Sequence, residues 1–174
     1  MLAVSIGDPS GIGPDIIIAA WQLRREARIP PFALLADPEH LSARAKRLGI
    51  QMPIAETTIG SAASVFDDAL PVIALENHFI DTPGAPTVGN AAGIVEAIDR
   101  ATGYVLDGAA DAVVTLPIAK KTLYEAGFRH PGHTEYLAYL ASEATGREET
   151  AVMMLAGPEL RTVPVTIHLS LIHI

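Results

Sequence analysis

Short apolar runs alternate with helix-period segments along most of this 174-residue chain, and that alternation leaves few architectures open. Leu2–Ile6, Phe32–Ala36, Pro71–Leu75 and Asp111–Thr115 are continuous apolar stretches, partly β-branched, each the length of one buried strand. Between them the spacing predicts helices over Asp15–Arg25, entered through Pro14, and over Glu39–Leu48 after an Asp37-Pro38 turn. Residues 54–68 are weakly patterned and are expected to be irregular with one short strand. Asp81–Asn90 reads as a loop.

Ala91–Leu106 carries the clearest helical period. Ile94, Val95, Ile98, Ala101, Val105 and Leu106 share a face, with Glu96, Asp99 and Arg100 off it and Gly108 past its end. Further helices are expected over Ile118–Ala126, stopped by Gly127, and over Thr134–Ala144. Ala151–Ala156 and Arg161–His168 read as two strands of a hairpin joined through Gly157–Leu160. Strands that alternate with helices predict βαβ units: an α/β fold, three-layer α/β/α, around a mostly parallel sheet.

Composition narrows function. Twelve Lys and Arg against 20 Asp and Glu leave a formal charge of −8, which opposes general nucleic-acid binding. A local anion site stays open, since backbone amides bind phosphate without net positive charge. The absence of Cys removes disulfides, Cys-held zinc, iron–sulfur clusters and thiol catalysis, so any metal must be held by His and carboxylates. No apolar run reaches membrane-spanning length, and the first residues lack the basic start of a signal peptide. No membrane association and a cytoplasmic location are the expectation.

Four places could carry chemistry. Gly7–Asp15 (GDPSGIGPD) joins a strand to a helix, as a ligand loop or as a plain tight turn; it matches neither the Rossmann nor the Walker A spacing. His130–Glu135 (HPGHTE) places an imidazole, a hydroxyl and free amides at a helix start, suited to a phosphate or to simple capping. Thr115–Lys121 (TLPIAKK) ends a strand and sets two lysines in a first helical turn. Lys120 there is a candidate phosphate contact or a solvated surface group. His168 closes an apolar strand, where ligands of open α/β sheets gather, or is a hydrogen-bonded core residue.

Taken together, GDPSGIGPDIII at Gly7–Ile18, VVTLPIAKKTLYEAGF at Val113–Phe128, PGHTEYL at Pro131–Leu137 and VMMLAGPELRTVPVTIH at Val152–His168 resemble the 4-hydroxythreonine-4-phosphate dehydrogenase family. The resemblance implies a two-domain fold like that of the isocitrate and isopropylmalate dehydrogenases. It implies NAD-dependent oxidation of 4-phosphooxy-L-threonine, followed by loss of carbon dioxide to give 3-amino-2-oxopropyl phosphate in vitamin B6 biosynthesis. A divalent metal cation (Zn, Mg or Co), a small phosphorylated hydroxy-amino-acid substrate and a homodimer come with it. Residue by residue, it makes His133 and Thr134 substrate contacts and His168 one of three metal-ligating histidines.

The likeness covers only the N-terminal half of the family's length. Residues 1–168 are expected to be the N-terminal portion of that two-domain enzyme, and 169–174 a truncated or foreign end, so that this chain alone is expected to lack turnover. Alternatives are a related dehydrogenase of 4-phospho-threonate or 4-phospho-erythronate, and a non-catalytic phosphate-binding fragment.

Overall fold

The computed structural model describes residues 1–164. The expected metal ligand His168 and the expected foreign end at 169–174 lie outside the described residues. Five strands, β1 (Leu2–Ser5), β2 (Phe32–Ala36), β3 (Ile54–Glu56), β4 (Leu70–Ala74) and β5 (Ala112–Thr115), form one sheet in the order β3-β4-β2-β1-β5. Every pairing in it is parallel, with Val4 set between Leu34 and Val114. All five residues of β2 are buried, odd and even alike. Such a strand is covered on both faces, so helices must occupy both sides of the sheet.

The helices are α1 (Gly13–Gln22), α2 (Pro38–Arg47), α3 (Ala62–Val65), α4 (Ala91–Leu106), α5 (Lys120–Glu125) and α6 (His133–Thr145). Helix α1 stops three residues before its predicted end. Arg24 stacks on the Trp21 ring at 3.7 Å and donates to the Trp21 carbonyl at 2.9 Å, taking a terminal acceptor that another turn would have used. Helix α2 starts where expected because Asp37 caps it, accepting from the amides of Glu39 at 2.9 Å and His40 at 3.3 Å, with Pro38 in the first turn.

The amphipathic reading of α4 needs correction. Its buried residues are Ala91, Gly93, Ile94, Ala97, Ile98, Ala101 and Thr102, whereas Leu106 is exposed and Val95 and Val105 are half-buried. The helix is covered from two directions, which a single-face pattern does not describe. Ala97 and Ala101 join the sheet core, and Ala91, Ile94 and Ile98 join a second core with Leu123 and Tyr136 from α5 and α6. Small residues face the sheet because close approach to the strands leaves no room for larger ones.

Of the predicted hairpin, residues 165–168 lie outside the described residues. Among those described, β6 (Leu155–Ala156) and β7 (Arg161–Thr162) pair, antiparallel and apart from the main sheet, with Gly157 donating to the Leu160 carbonyl at 2.8 Å, while residues 151–154 form no strand. Their side chains are exposed, so no packing rewards a longer ladder among the described residues. No helix among the described residues is long and apolar enough to cross a membrane.

From β1 the chain steps to β2, then to the edge strand β3, returns to β4 between β3 and β2, and only later reaches β5 on the other side of β1. The carboxyl ends of β1 and β5 therefore form the topological switch point, where open α/β sheets bind ligands.

Candidate functional site

The loops leaving β1 and β5 meet at that point. The Asp8 amide donates to the Pro117 carbonyl at 2.8 Å, and Gly7 takes φ +72°. The glycine spacing read in the sequence serves backbone contact here. A side chain on Gly7 would lie 2.4 Å from the Pro117 oxygen, and one on Gly13 would lie 2.5 Å from the Ile6 oxygen.

The loop is braced from outside by α2. Arg44, almost fully buried, donates to the carbonyls of Pro9 at 2.6 Å and Gly11 at 3.2 Å and pairs with Asp15 at 2.9 Å. Residues 82–84 close the other side, through Ser10 and Thr82 hydroxyls 3.2 Å apart and the Gly84 amide on the Ser10 carbonyl at 2.7 Å. The strand-to-helix turn thus stands at the carboxyl edge of the sheet with its carbonyls already engaged.

His40 of α2 is buried in the same brace, edge-on to Phe79 and with Nε2 3.5 Å from Asp81. Burial lowers its pKa, Arg44 adds to the effect, and Asp81, Asp37 and the Pro9 carbonyl oppose it. With the folded-state pKa below the unfolded value of 6.5, the unfolded chain takes up the proton first. Stability attributable to His40 is therefore complete above that value and falls as the pH drops below it. Thermal melts across roughly pH 7 to 5.5 should show a smaller decline in Tm for His40→Phe than for the unaltered chain. Equal declines would mean that His40 is protonated without cost.

The second strand-end path leads from β5 through Lys120 to the start of α6. Aromatic contacts hold that start: the His130 ring lies 4.8 Å from Tyr136 and 4.9 Å from Tyr139, and Phe128 is 4.9 Å from Tyr136. Tyr124 donates to the Pro131 carbonyl at 3.1 Å, and the Tyr136 hydroxyl donates to Asp99 of α4. Burial pushes the Asp99 carboxyl above its usual range, and burial together with Asp99 pushes the Tyr136 phenol up as well. His130 is accordingly structural, although it stands in the same HPGHTE run.

His133 opens α6 half-buried, with Nε2 shielded from solvent and without a hydrogen-bond partner among the described residues. Burial, and then the nearby Lys120 ammonium, hold its pKa below the ordinary value, so the imidazole is neutral at neutral pH. A neutral imidazole with one nitrogen open can donate to a phosphate or hydroxyl oxygen or accept from a hydroxyl, according to tautomer.

Thr134 is exposed and lines a cavity of about 410 Å³ between α6 and residues 149–151. It is not a cap. Gly132 occupies the N-cap position, and no side chain bonds the first amides of α6. His133 does not line that cavity.

Two contributors escaped the sequence reading. Asp99 lies off the apolar face of α4 and becomes internal only through the approach of α6, while Arg44 is a charged residue on the buried face of α2, beside Leu41 and Ala45, whose partners are carbonyls of a distant loop. Among the described residues no three His, Cys, Asp or Glu side chains converge as a metal site would require.

The chain resembles proteins of one kind. A family model described as pyridoxal phosphate biosynthetic protein PdxA matches residues 28–174. A 4-hydroxythreonine-4-phosphate dehydrogenase of Methylorubrum extorquens is 53% identical over 172 residues, covering 98% of this chain and 49% of that protein. The protein of the same name from Bradyrhizobium diazoefficiens is 48% identical over 178 residues, covering 98% and 51%.

Among solved structures, a 4-hydroxythreonine-4-phosphate dehydrogenase from Burkholderia phymatum superposes with TM-score 0.85 at 28% identity, over 99% of this chain and 51% of its own. The Klebsiella pneumoniae enzyme superposes with TM-score 0.78 at 29% identity, over 99% and 52%. The chain thus spans about half the length of the curated relatives it matches. With the motifs, the parallel sheet and these matches in agreement, the chain belongs to the PdxA family of pyridoxal phosphate biosynthetic proteins.

Proposed function

We propose that this chain supplies the His-Thr substrate wall of a 4-hydroxythreonine-4-phosphate dehydrogenase. In this reading the enzyme oxidises 4-phosphooxy-L-threonine with NAD, and the product loses carbon dioxide to yield 3-amino-2-oxopropyl phosphate for vitamin B6 biosynthesis. A divalent cation, a homodimer and a cytoplasmic setting belong to the same proposal. The observation that carries it is the shielded, unpartnered Nε2 of a neutral His133 at the uncapped start of a 13-residue helix, set within the family's motif. A buried polar atom without a partner is costly, and a ligand oxygen would satisfy it.

In this scheme His133 binds through its open nitrogen and Thr134 through its backbone amide at the uncapped start of α6, since the cavity its side chain lines is not shared with His133. Bringing the reacting carbon into line with the hydride acceptor is worth large factors in rate, and these residues serve that alignment. The described residues do not by themselves hold a divalent cation, and His168, the proposed ligand, lies outside them. Metal chelation, through His168, is therefore assigned beyond the described residues, and the hydride goes to NAD.

The test is a chimera in which residues 1–164 replace the matching segment of the Methylorubrum extorquens relative. NADH absorbance should report turnover of 4-phosphooxy-L-threonine in preference to 4-phospho-threonate and 4-phospho-erythronate. His133→Asn should lower kcat/KM by about 100-fold. A folded chimera with no turnover, or one in which His133→Asn is silent, would refute the proposal.

A further inference from the structure

Lys120 stands at the first position of α5, where the helix dipole disfavours a cation. Its neighbour Lys121 reaches Glu125 one turn along at 3.9 Å, but Lys120 makes no ion pair among the described residues. Its side chain instead lies over the backbone that starts α6. Nζ is 3.4 Å and Cε 3.6 Å from the point where a side chain on Gly132 would begin. Gly132 is buried and extended, at φ −178°, a backbone that any residue adopts; what the glycine leaves there is room, which the lysine tip overlies.

Glu135 Oε2 flanks the same point at 3.5 Å without pairing with the ammonium. The next residue, His133, has a shielded, unpartnered Nε2, and the Lys120 charge lowers its pKa in addition to burial. Lys120 is exposed, and its ammonium lies over Gly132, next to His133 in the chain, with the nearby carboxylate unpaired to it. An anion received by both Lys120 and His133 would relieve the repulsion that lowers the His133 pKa.

Resting on the reading of His133 and Thr134 as substrate contacts, we propose that Lys120 is a further binding residue of that site: its ammonium and the open His133 nitrogen take the phosphate group of the substrate between them. Lys120 supplies the charge and His133 the directed hydrogen bond. The neighbouring lysine, engaged with Glu125, has no part in it.

The experiment follows the His133 imidazole and the Thr134 amide by heteronuclear NMR in the 174-residue chain while inorganic phosphate is added. It compares the unaltered chain with Lys120→Met, Lys120→Arg and His133→Asn, with circular dichroism checking the fold of each. Phosphate should shift both signals saturably and raise the His133 pKa. Lys120→Met should weaken phosphate at least about tenfold and, without phosphate, let the His133 pKa rise toward its ordinary value. Lys120→Arg should restore phosphate binding.

If Lys120→Met binds phosphate as the unaltered chain does while His133→Asn does not, Lys120 is a solvated surface group. The inference then falls while the His133–Thr134 site stands. If phosphate moves neither His133 nor Thr134 in any form, the inference and the site reading fall together.

Discussion

Gly7→Ala is expected to cost about 3–4 kcal/mol, close to the largest effect any one-carbon addition can have in this chain. Two penalties coincide at Gly7. The backbone sits at φ +72°, where a side chain costs about 1–2 kcal/mol, and the new carbon would lie 2.4 Å from the Pro117 carbonyl oxygen and 2.8 Å from the Leu116 carbonyl carbon. Both obstacles are backbone atoms, so no rotamer change can relieve the contact; the loop would have to leave β5. Gly108→Ala is the control, because it shares a positive φ, +74°, but has nothing within 4 Å of the new carbon. It should cost only the conformational part, about 1 kcal/mol. Urea unfolding of the two variants checks this, and equal losses would show that the approach of the two strand-end loops is looser than described.

Arg44→Met should lose about 3 kcal/mol, which for a chain of this size lowers Tm by roughly 6–12 °C. The methionine keeps much of the packing volume and removes the guanidinium. The carbonyls of Pro9 and Gly11 then lose their donor in a place closed to water, and Asp15 loses its partner at 2.9 Å. Because Asp15 is partly exposed, its share is small and screened, and most of the loss comes from the stranded carbonyls. Hydrogen exchange at residues 8–13 should quicken with it. A thermal melt indistinguishable from that of the unaltered chain would assign the brace to the 82–84 contacts instead.

The two variants also separate what could be read along the chain from what could not. Strand positions were legible because each central strand is mostly apolar, and both helix starts marked by proline were legible because proline suits the first turn. The GDPSGIGPD spacing announced a tight turn but not its reason. Gly7 and Gly13 are required by the carbonyls of Pro117 and Ile6, and Pro117 is more than a hundred residues away in sequence from Gly7. For α4, the periodic pattern reported one apolar stripe, and tertiary packing made two by laying α5 and α6 against the side away from the sheet. Asp99 stood off the apolar face for the same cause: a lone helix does not reveal what will cover its polar side.

At the candidate site the division is sharper. The sequence by itself determined the parallel α/β class, the strand and helix order, and the HPGHTE run that brings His133 and Thr134 to a helix start, because period, glycine and proline are local signals. Tertiary contacts decided that His130 is absorbed by an aromatic cluster while His133 keeps an open nitrogen, and that Thr134 lines a cavity His133 does not reach. They also decided that Lys120 lies beside the α6 start. Burial, the cause of every pKa shift named for these groups, is set by which segments converge in space. That convergence comes from the parallel pairing of β1 with β5 at the switch point and the folding of α6 onto α4, contacts between residues far apart in the chain that no local pattern encodes.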